Sequence, residues 1–191
     1  MKNIRLLPLC EEDRPAYEAL YESSFPASER KELDYMLTGE HASAYDVLVI
    51  STPKVRVAGM VVTVTHGDFT MLDYFAISPD LRGQGLGHAA LPLIRNHVRK
   101  SGGHFFLEIE TPPPACIPRD PCDNAEQRVR RKAFYYSAGM VETGVRAFIY
   151  GNDMELLAFP EDAWAITFEG YDALLKATFP AGMGAERIKG E

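Results

Sequence analysis

Arg82, Gly83, Gln84, Gly85, Leu86 and Gly87 form a run whose residue types suit one task, the holding of an anion. Glycines let the backbone approach a phosphate closely, and the arginine adds a charge-assisted hydrogen bond. An apolar stretch from Leu72 to Ile77 enters the run through Ser78 and Pro79. After it, Leu86, Ala90, Ile94 and Val98 recur on one helical face. A strand feeding a glycine turn that opens a helix aims the first N–H groups of the helix, and the positive end of its dipole, at one point. Two familiar phosphate loops do not fit. The nucleotide P-loop ends in Gly-Lys-Ser/Thr, and the dinucleotide fingerprint requires Gly-x-Gly-x-x-Gly with an acid about 20 residues on.

Titratable side chains come next. On the strand expected at 105–109, period-two geometry puts Phe106, Glu108 and Glu110 on one face and Phe105, Leu107 and Ile109 on the other. Two carboxylates therefore share a face, where they either do acid–base work or merely edge a solvated sheet. Asp73 and Glu110 are reserve candidates for the base after Glu108, each read first as polar lining on the substrate side. Tyr135 carries a phenol with an ordinary pKa near 10, so at neutral pH it holds a proton that it can lend. Its competing role is that of a core tyrosine under a helix, and its neighbour Tyr136 reads as structural. The five histidines show no ligand spacing, and Cys10, Cys116 and Cys122 lack the close Cys or His pairs of a zinc site, so no metal is expected.

The elements that must position these groups can be read from spacing. A short strand is expected at 3–7. Two consecutive helices follow over 11–39, the first with Tyr17, Leu20, Tyr21 and Phe25 at helical spacing and the second with Leu33, Met36 and Leu37. Residues 45–50, 55–65 and 70–77 read as three antiparallel strands with a turn at His66-Gly67-Asp68. The helix after the glycine run contains Pro92, which implies a kink or an early-turn position. The strand at 70–77, that helix and the strand at 105–109 should form a right-handed unit with the two strands parallel. Residues 111–123, with five prolines and two cysteines, are a loop. A helix over 125–137 ends at Gly139, and strands at 140–145 and 147–150 would form a hairpin-like pair. Beyond Leu157, the alternation of Trp164, Ile166 and Phe168 suggests a strand, and Tyr171, Leu174, Leu175 and Phe179 a short helix. Residues after Pro180 should fray.

Composition limits the function classes. The 191-residue chain is 46% hydrophobic and 25% charged, which suits one folded domain. A net charge of −7 disfavours nucleic acid as the main partner and suits a cationic substrate. No signal-peptide core and no run of about 18 apolar residues is present, so the reading is cytoplasmic with no membrane partner.

Arg82-x-x-Gly85-x-Gly87 after a strand ending in Ser-Pro resembles the acetyl-CoA-binding motif of the GNAT superfamily of N-acetyltransferases. The order of strand, helix and strand, and then Tyr135-Tyr136-Ser137-Ala138-Gly139-Met140, is similar to the family over residues 1–150. Phe25-Pro26 and Glu29-Arg30 look like an uncharacterised bacterial branch. The resemblance implies an α/β (α+β) fold with a mixed, mostly antiparallel sheet flanked by helices and one parallel strand pair at the acetyl-CoA site. It implies an acetyltransferase domain over 1–157, with 158–191 as a C-terminal appendage of the same domain. Acetyl-CoA would be the acyl donor and an unidentified primary amine the acceptor.

By the same resemblance, backbone groups around Phe75, Ala76 and Ile77 pair with the pantetheine arm, and residues 82–87 hold the pyrophosphate. Leu107-Glu108-Ile109 matches the Leu-Glu-Val that supplies the base in ribosomal-protein acetyltransferases, and Tyr135 matches the general acid. Where many members carry asparagine seven residues before that tyrosine, this chain has Arg128. Arg128, Arg130, Arg131 and Lys132 either meet the coenzyme's 3′-phosphate or form a solvated face, the second being favoured. An acyl-cysteine route through Cys116 or Cys122 finds nothing nearby in sequence to lower a thiol pKa, so direct transfer is expected. A non-catalytic acyl-CoA-binding module and transfer of a longer acyl group remain the alternatives. The segment around Trp164 offers a surface for a homodimer or for packing on its own domain.

Overall fold

The computed structural model describes residues 3–100, 102–149, 151–180 and 184–188. The chain divides into two units, one of residues up to 64 together with 72–100, the other of 65–71 and the described residues from 102 onward. Among the described residues no helix is long and apolar enough to cross a membrane.

β1 (Arg5–Pro8), β2 (Tyr45–Ser51), β3 (Gly59–His66) and β4 (Phe69–Ile77) follow one another in sheet order and belong to the first unit except for the hairpin tip at 65–71. β1 pairs antiparallel with β2 through Leu7 and Val49, and β2 with β3 through Val49 and Met60. β-Branched side chains suit such a pleated surface, and Val49, Ile50, Val61, Val62 and Val64 are wholly buried. α1 (Arg14–Ser24) starts with a proline in its first turn and buries Tyr17, Leu20 and Tyr21. α2 (Leu33–Leu37) buries Leu33 and Met36. α3 (Leu86–Lys100) buries Leu86, Ala90, Ile94 and Val98, the stripe its spacing predicts. Pro92 lies inside α3, past its first turn, so the early-turn expectation does not hold. β4 alternates at its end: Tyr74 and Ala76 are buried, while Phe75 and Ile77 are partly exposed.

In the second unit, β5 (His104–Glu110), β7 (Asn152–Ala158), β6 (Val141–Ile149) and β8 (Glu186–Arg187) follow in that sheet order, all antiparallel. The His104 amide donates to Asp68 O at 2.7 Å. β5 thus begins beside the start of β4 and runs the same way, the parallel pair within a mostly antiparallel mixed sheet. α4 (Ala125–Ser137) has the bounds the sequence predicts. The turn expected near Arg146 is absent. β6 runs straight through it with a bulge between Glu142 and Arg146, where Gly144 has φ 80°, and the reversal comes at Gly151, φ 84°. The strand expected from Trp164 to Phe168 is also absent. Its place is taken by the end of α5 (Pro160–Ala163), a short link and the start of α6 (Phe168–Thr178), which Thr167 caps by accepting from the Gly170 amide. α6 buries Tyr171, Leu174 and Leu175, as its spacing predicts. Of the segment expected to fray, Glu186–Arg187 pairs with Phe148 and Ala147, and 181–183 and 189–191 lie outside the described residues.

Candidate active site

The glycine run closes the first unit's β4. The Ser78 amide donates to Ala58 O at 3.0 Å, and Pro79–Leu81 makes a single 3-10 turn. Arg82 Nε then donates to Ile77 O at 3.0 Å, fastening the side chain across the turn while its two Nη groups extend from an exposed residue. Among the described residues Arg82 has no carboxylate partner. Gly83 and Gly85 take φ of 70° and 74°, the left-handed region that residues with a Cβ rarely enter. The Ala89 amide donates to Gly85 O at 3.1 Å, so the amides of Leu86 and Gly87 belong to the first turn, where helix geometry provides no acceptor. Residues 82–85 are exposed. The result is an open nest of N–H groups with a cation beside it, suited to a pyrophosphate.

Asp73, two residues before Phe75, is not open to a ligand. Lys31 Nζ donates to its two oxygens at 2.6 and 2.9 Å, and both side chains are buried. Burial raises the Asp73 pKa, and the Lys31 charge works against that rise. The ammonium also sits 4.9 Å from the Tyr74 ring centroid. Tyr74 packs edge-on against Tyr21 and Phe25 and donates to Glu29 O at 2.7 Å.

In the second unit the two β5 carboxylates have different partners. Glu108 accepts a hydrogen bond from the hydroxyl of Tyr171, a wholly buried residue of α6 whose ring also meets Phe106 edge-on. Glu110 is bound by α4: Arg131 Nη1 donates at 2.7 Å, Arg128 Nη2 lies at 3.2 Å, and Asn124 Nδ2 donates at 3.2 Å. Glu110 is thereby an ion-pair partner.

Arg128 overturns the reading of 128–132 as a solvated basic face. It is 1% exposed, donates to both Asp120 oxygens at 2.7 and 3.1 Å, and reaches Thr111 O, Asn124 and Asn152. Burial pushes the Asp120 carboxyl up, but the hydrogen bonds from Arg128 and from the Asp153 and Cys122 amides prevail and hold it below the usual range. Lys132 is likewise committed, to Glu142 at 2.6 Å and Glu155 at 2.8 Å. Arg130 and Arg131 remain exposed, Arg131 paired with Glu110 and Arg130 with Glu126 3.7 Å away.

Tyr135 lies on the last turn of α4 and is 9% exposed. Burial pushes its phenol up to about 12, with the Arg131 charge opposing, so the hydroxyl is protonated at neutral pH. Among the described residues that hydroxyl has no hydrogen-bond partner. Tyr136 instead is exposed and donates to Glu142 at 2.5 Å. The Cys116 and Cys122 thiols share a hydrogen bond, sulfur to sulfur 2.8 Å, and this bond, helped by burial, pushes the Cys122 thiol up to about 11. Among the described residues no group of three or more His, Cys, Asp or Glu is placed to hold a metal.

The model of the acetyltransferase (GNAT) family matches residues 7–117, more than half of the chain. The chain belongs to that family. It is an acetyltransferase, and the matched stretch takes in Asp73, the glycine run, Glu108 and Glu110, while Tyr135 lies beyond it. No curated protein matches the sequence. Among solved structures, a GNAT-family protein from Bacteroides thetaiotaomicron is 22% identical, with 94% of this chain and 99% of that one covered and a TM-score of 0.69. The ribosomal-protein-S18-alanine N-acetyltransferase of Escherichia coli is 23% identical over 82% and 93% of the two chains, TM-score 0.53. The spermidine N-acetyltransferase of Vibrio cholerae, solved with CoA and spermine, is 15% identical over 84% and 97%, TM-score 0.60.

For this family member, sequence reasoning missed Tyr171 as the partner of Glu108, Lys31 as the partner of Asp73, and the buried group of Asp120, Arg128 and Asp153. Lys31 and Asp73 are 42 residues apart and Tyr171 and Glu108 63, separations at which no local period signals a contact. The one available signal was Arg128 itself, at a helix position where the resemblance to the family implies asparagine.

Proposed function

We propose that the chain is an acetyl-CoA-dependent N-acetyltransferase that moves acetyl directly to a primary amine of a small molecule or peptide. The observation that carries the donor is the exposed nest at 82–87, whose outward amides and unpaired Arg82 fit a pyrophosphate. Backbone groups of Phe75, Ala76 and Ile77 are assigned to the pantetheine arm. Bound acetyl-CoA supplies the activated acetyl group, and the remaining work falls to side chains.

Glu108 is assigned as the base. An amine with a pKa near 10.4 costs roughly 4–5 kcal/mol to deprotonate at pH 7, so a carboxylate that receives its proton, directly or through water, lowers the barrier. Tyr171 orients that carboxylate from a buried position. Glu110 and Asp73, each in an ion pair, are left to shape the polar surroundings. Tyr135 is assigned to the departing sulfur. A phenol near 12 is a weaker acid than a thiol near 8.5, so it stabilises a developing thiolate by donating a hydrogen bond more than by handing over its proton. Direct transfer is supported by Cys122, which stays a protonated thiol at neutral pH.

The test is thiol release from acetyl-CoA over spermidine, amino-sugar antibiotics, amino acids and short peptides beginning with alanine. Amine-dependent release is expected, falling about 100-fold or more in Glu108→Gln and Tyr135→Phe. Binding of acetyl-CoA without release for any amine would replace this reading with that of an acyl-CoA-binding module.

A further inference from the structure

Two thiols of the loop between β5 and α4 have no part in the chemistry above. Cys116 and Cys122 are both half-buried and free, and their sulfurs lie 2.8 Å apart, against about 2.05 Å in a formed disulfide. The intervening residues are fastened so that the sulfurs stay together without a covalent bond. The Ile117 amide donates to Asp153 Oδ2 at 2.9 Å, and the Asp120 amide to Ile117 O at 3.0 Å. Asp120 Oδ1 accepts from the Cys122 amide at 2.7 Å, while its carboxylate is held by buried Arg128. Arg119 stacks on Phe148, 3.8 Å from the ring centroid, and pairs with Glu186. Cys122 itself takes a φ of 53°, among the described residues the one left-handed position not filled by glycine. A side chain with a Cβ persists there only where its surroundings over-determine it, as the Asp120 contacts do.

We propose that Cys116 and Cys122 are a reversible thiol–disulfide exchange site that takes low-molecular-weight disulfides as oxidant and low-molecular-weight thiols as reductant. Cys116 attacks one sulfur of a disulfide R–S–S–R, giving a mixed disulfide and releasing one RSH that carries the Cys116 proton. Cys122, freed of the Cys116 hydrogen bond that held its proton, then attacks the Cys116 sulfur, closing the internal bond and releasing the second RSH with the Cys122 proton. The protein dithiol loses two electrons and the small disulfide gains them, and excess thiol reverses both steps. The closed ring spans Asp120, whose carboxylate grips Arg128, so oxidation fixes the start of α4. This site is independent of the acetyl-transfer reading and stands or falls without an acceptor.

The experiment incubates the full chain with glutathione disulfide, alkylates the remaining thiols under denaturing conditions and measures intact mass, with thermal unfolding in parallel. The expected product is lighter than the reduced chain by two hydrogens before alkylation, takes one alkyl group, on Cys10, and reverts with dithiothreitol. Closing so short a ring without backbone movement should raise Tm by about 5 °C. Cys10→Ser should retain the change, and Cys116→Ser and Cys122→Ser should each abolish it while folding normally by circular dichroism. Three alkylated cysteines after incubation, a persistent glutathione adduct, disulfide-linked dimers or a fall in Tm would each overturn the proposal.

Discussion

The turn at 82–87 and the helix face at 128–132 both place arginine where an anionic ligand would be sought, and the structure separates them by what the cations already hold. Among the described residues Arg82 is fixed only by its own turn, through Nε to Ile77 O, beside two left-handed glycines and exposed backbone. Arg128, Arg131 and Lys132 are each bound to carboxylates of their own unit. A basic cluster is a binding site only to the extent that its charges are uncommitted. Desolvating Arg128 requires the Asp120 and Glu110 charges around it, so that residue serves packing and leaves nothing for a phosphate.

The sharpest break of this contrast is Arg128→Ala. It leaves buried carboxylates without their cation and should cost about 3–5 kcal/mol in denaturant unfolding. Next comes Arg82→Ala, which should leave unfolding within about 0.5 kcal/mol of wild type but weaken acetyl-CoA binding by roughly 10- to 100-fold in calorimetry. A large loss of stability there, with binding unchanged, would reverse the assignment of the two regions. A pH series tests the buried group alone. Because the Asp120 pKa is depressed in the folded chain, its stabilisation is present above the unfolded value near 3.9 and is lost as pH falls through the folded value. Wild type should therefore lose stability below about pH 4 more steeply than Asp120→Asn. Arg130→Ala, on the exposed side of the same helix, should change neither unfolding nor acetyl-CoA binding by more than about 0.5 kcal/mol.

Local geometry was legible in the sequence and long-range pairing was not. The stripe Leu86, Ala90, Ile94 and Val98, the alternation at the end of β4 and the bounds of α4 follow from periods that a few neighbouring residues fix. The reversal assigned near Arg146 failed because Gly144 absorbs its left-handed φ within a bulged strand, whereas Gly151 uses the same conformation to turn the chain. Trp164, Ile166 and Phe168 imitate a strand because the end of one short helix, a link and the start of another happen to alternate; Trp164 is 78% exposed and packs edge-on to His104. The phosphate-type nest was visible since its chemistry lies in six consecutive residues. The partners of Glu108, Asp73 and Arg128 were not, because burial of a charge is decided by residues far along the chain.

The contact between Gly170 and Phe69 carries a consequence for the order of events during synthesis. A Cβ on Gly170 would fall 2.5 Å from the Phe69 ring, so the hairpin tip at 65–71 fits against α6 only as glycine allows. That tip leaves the ribosome about a hundred residues before its cover does. At roughly 5–20 residues per second, the nascent chain holds Phe69 uncovered for about 5–20 s. The second unit thus closes only once α6 has emerged, and a chain stopped before α6 leaves Phe69 uncovered and Glu108 without Tyr171, as a substrate for chaperones or proteases.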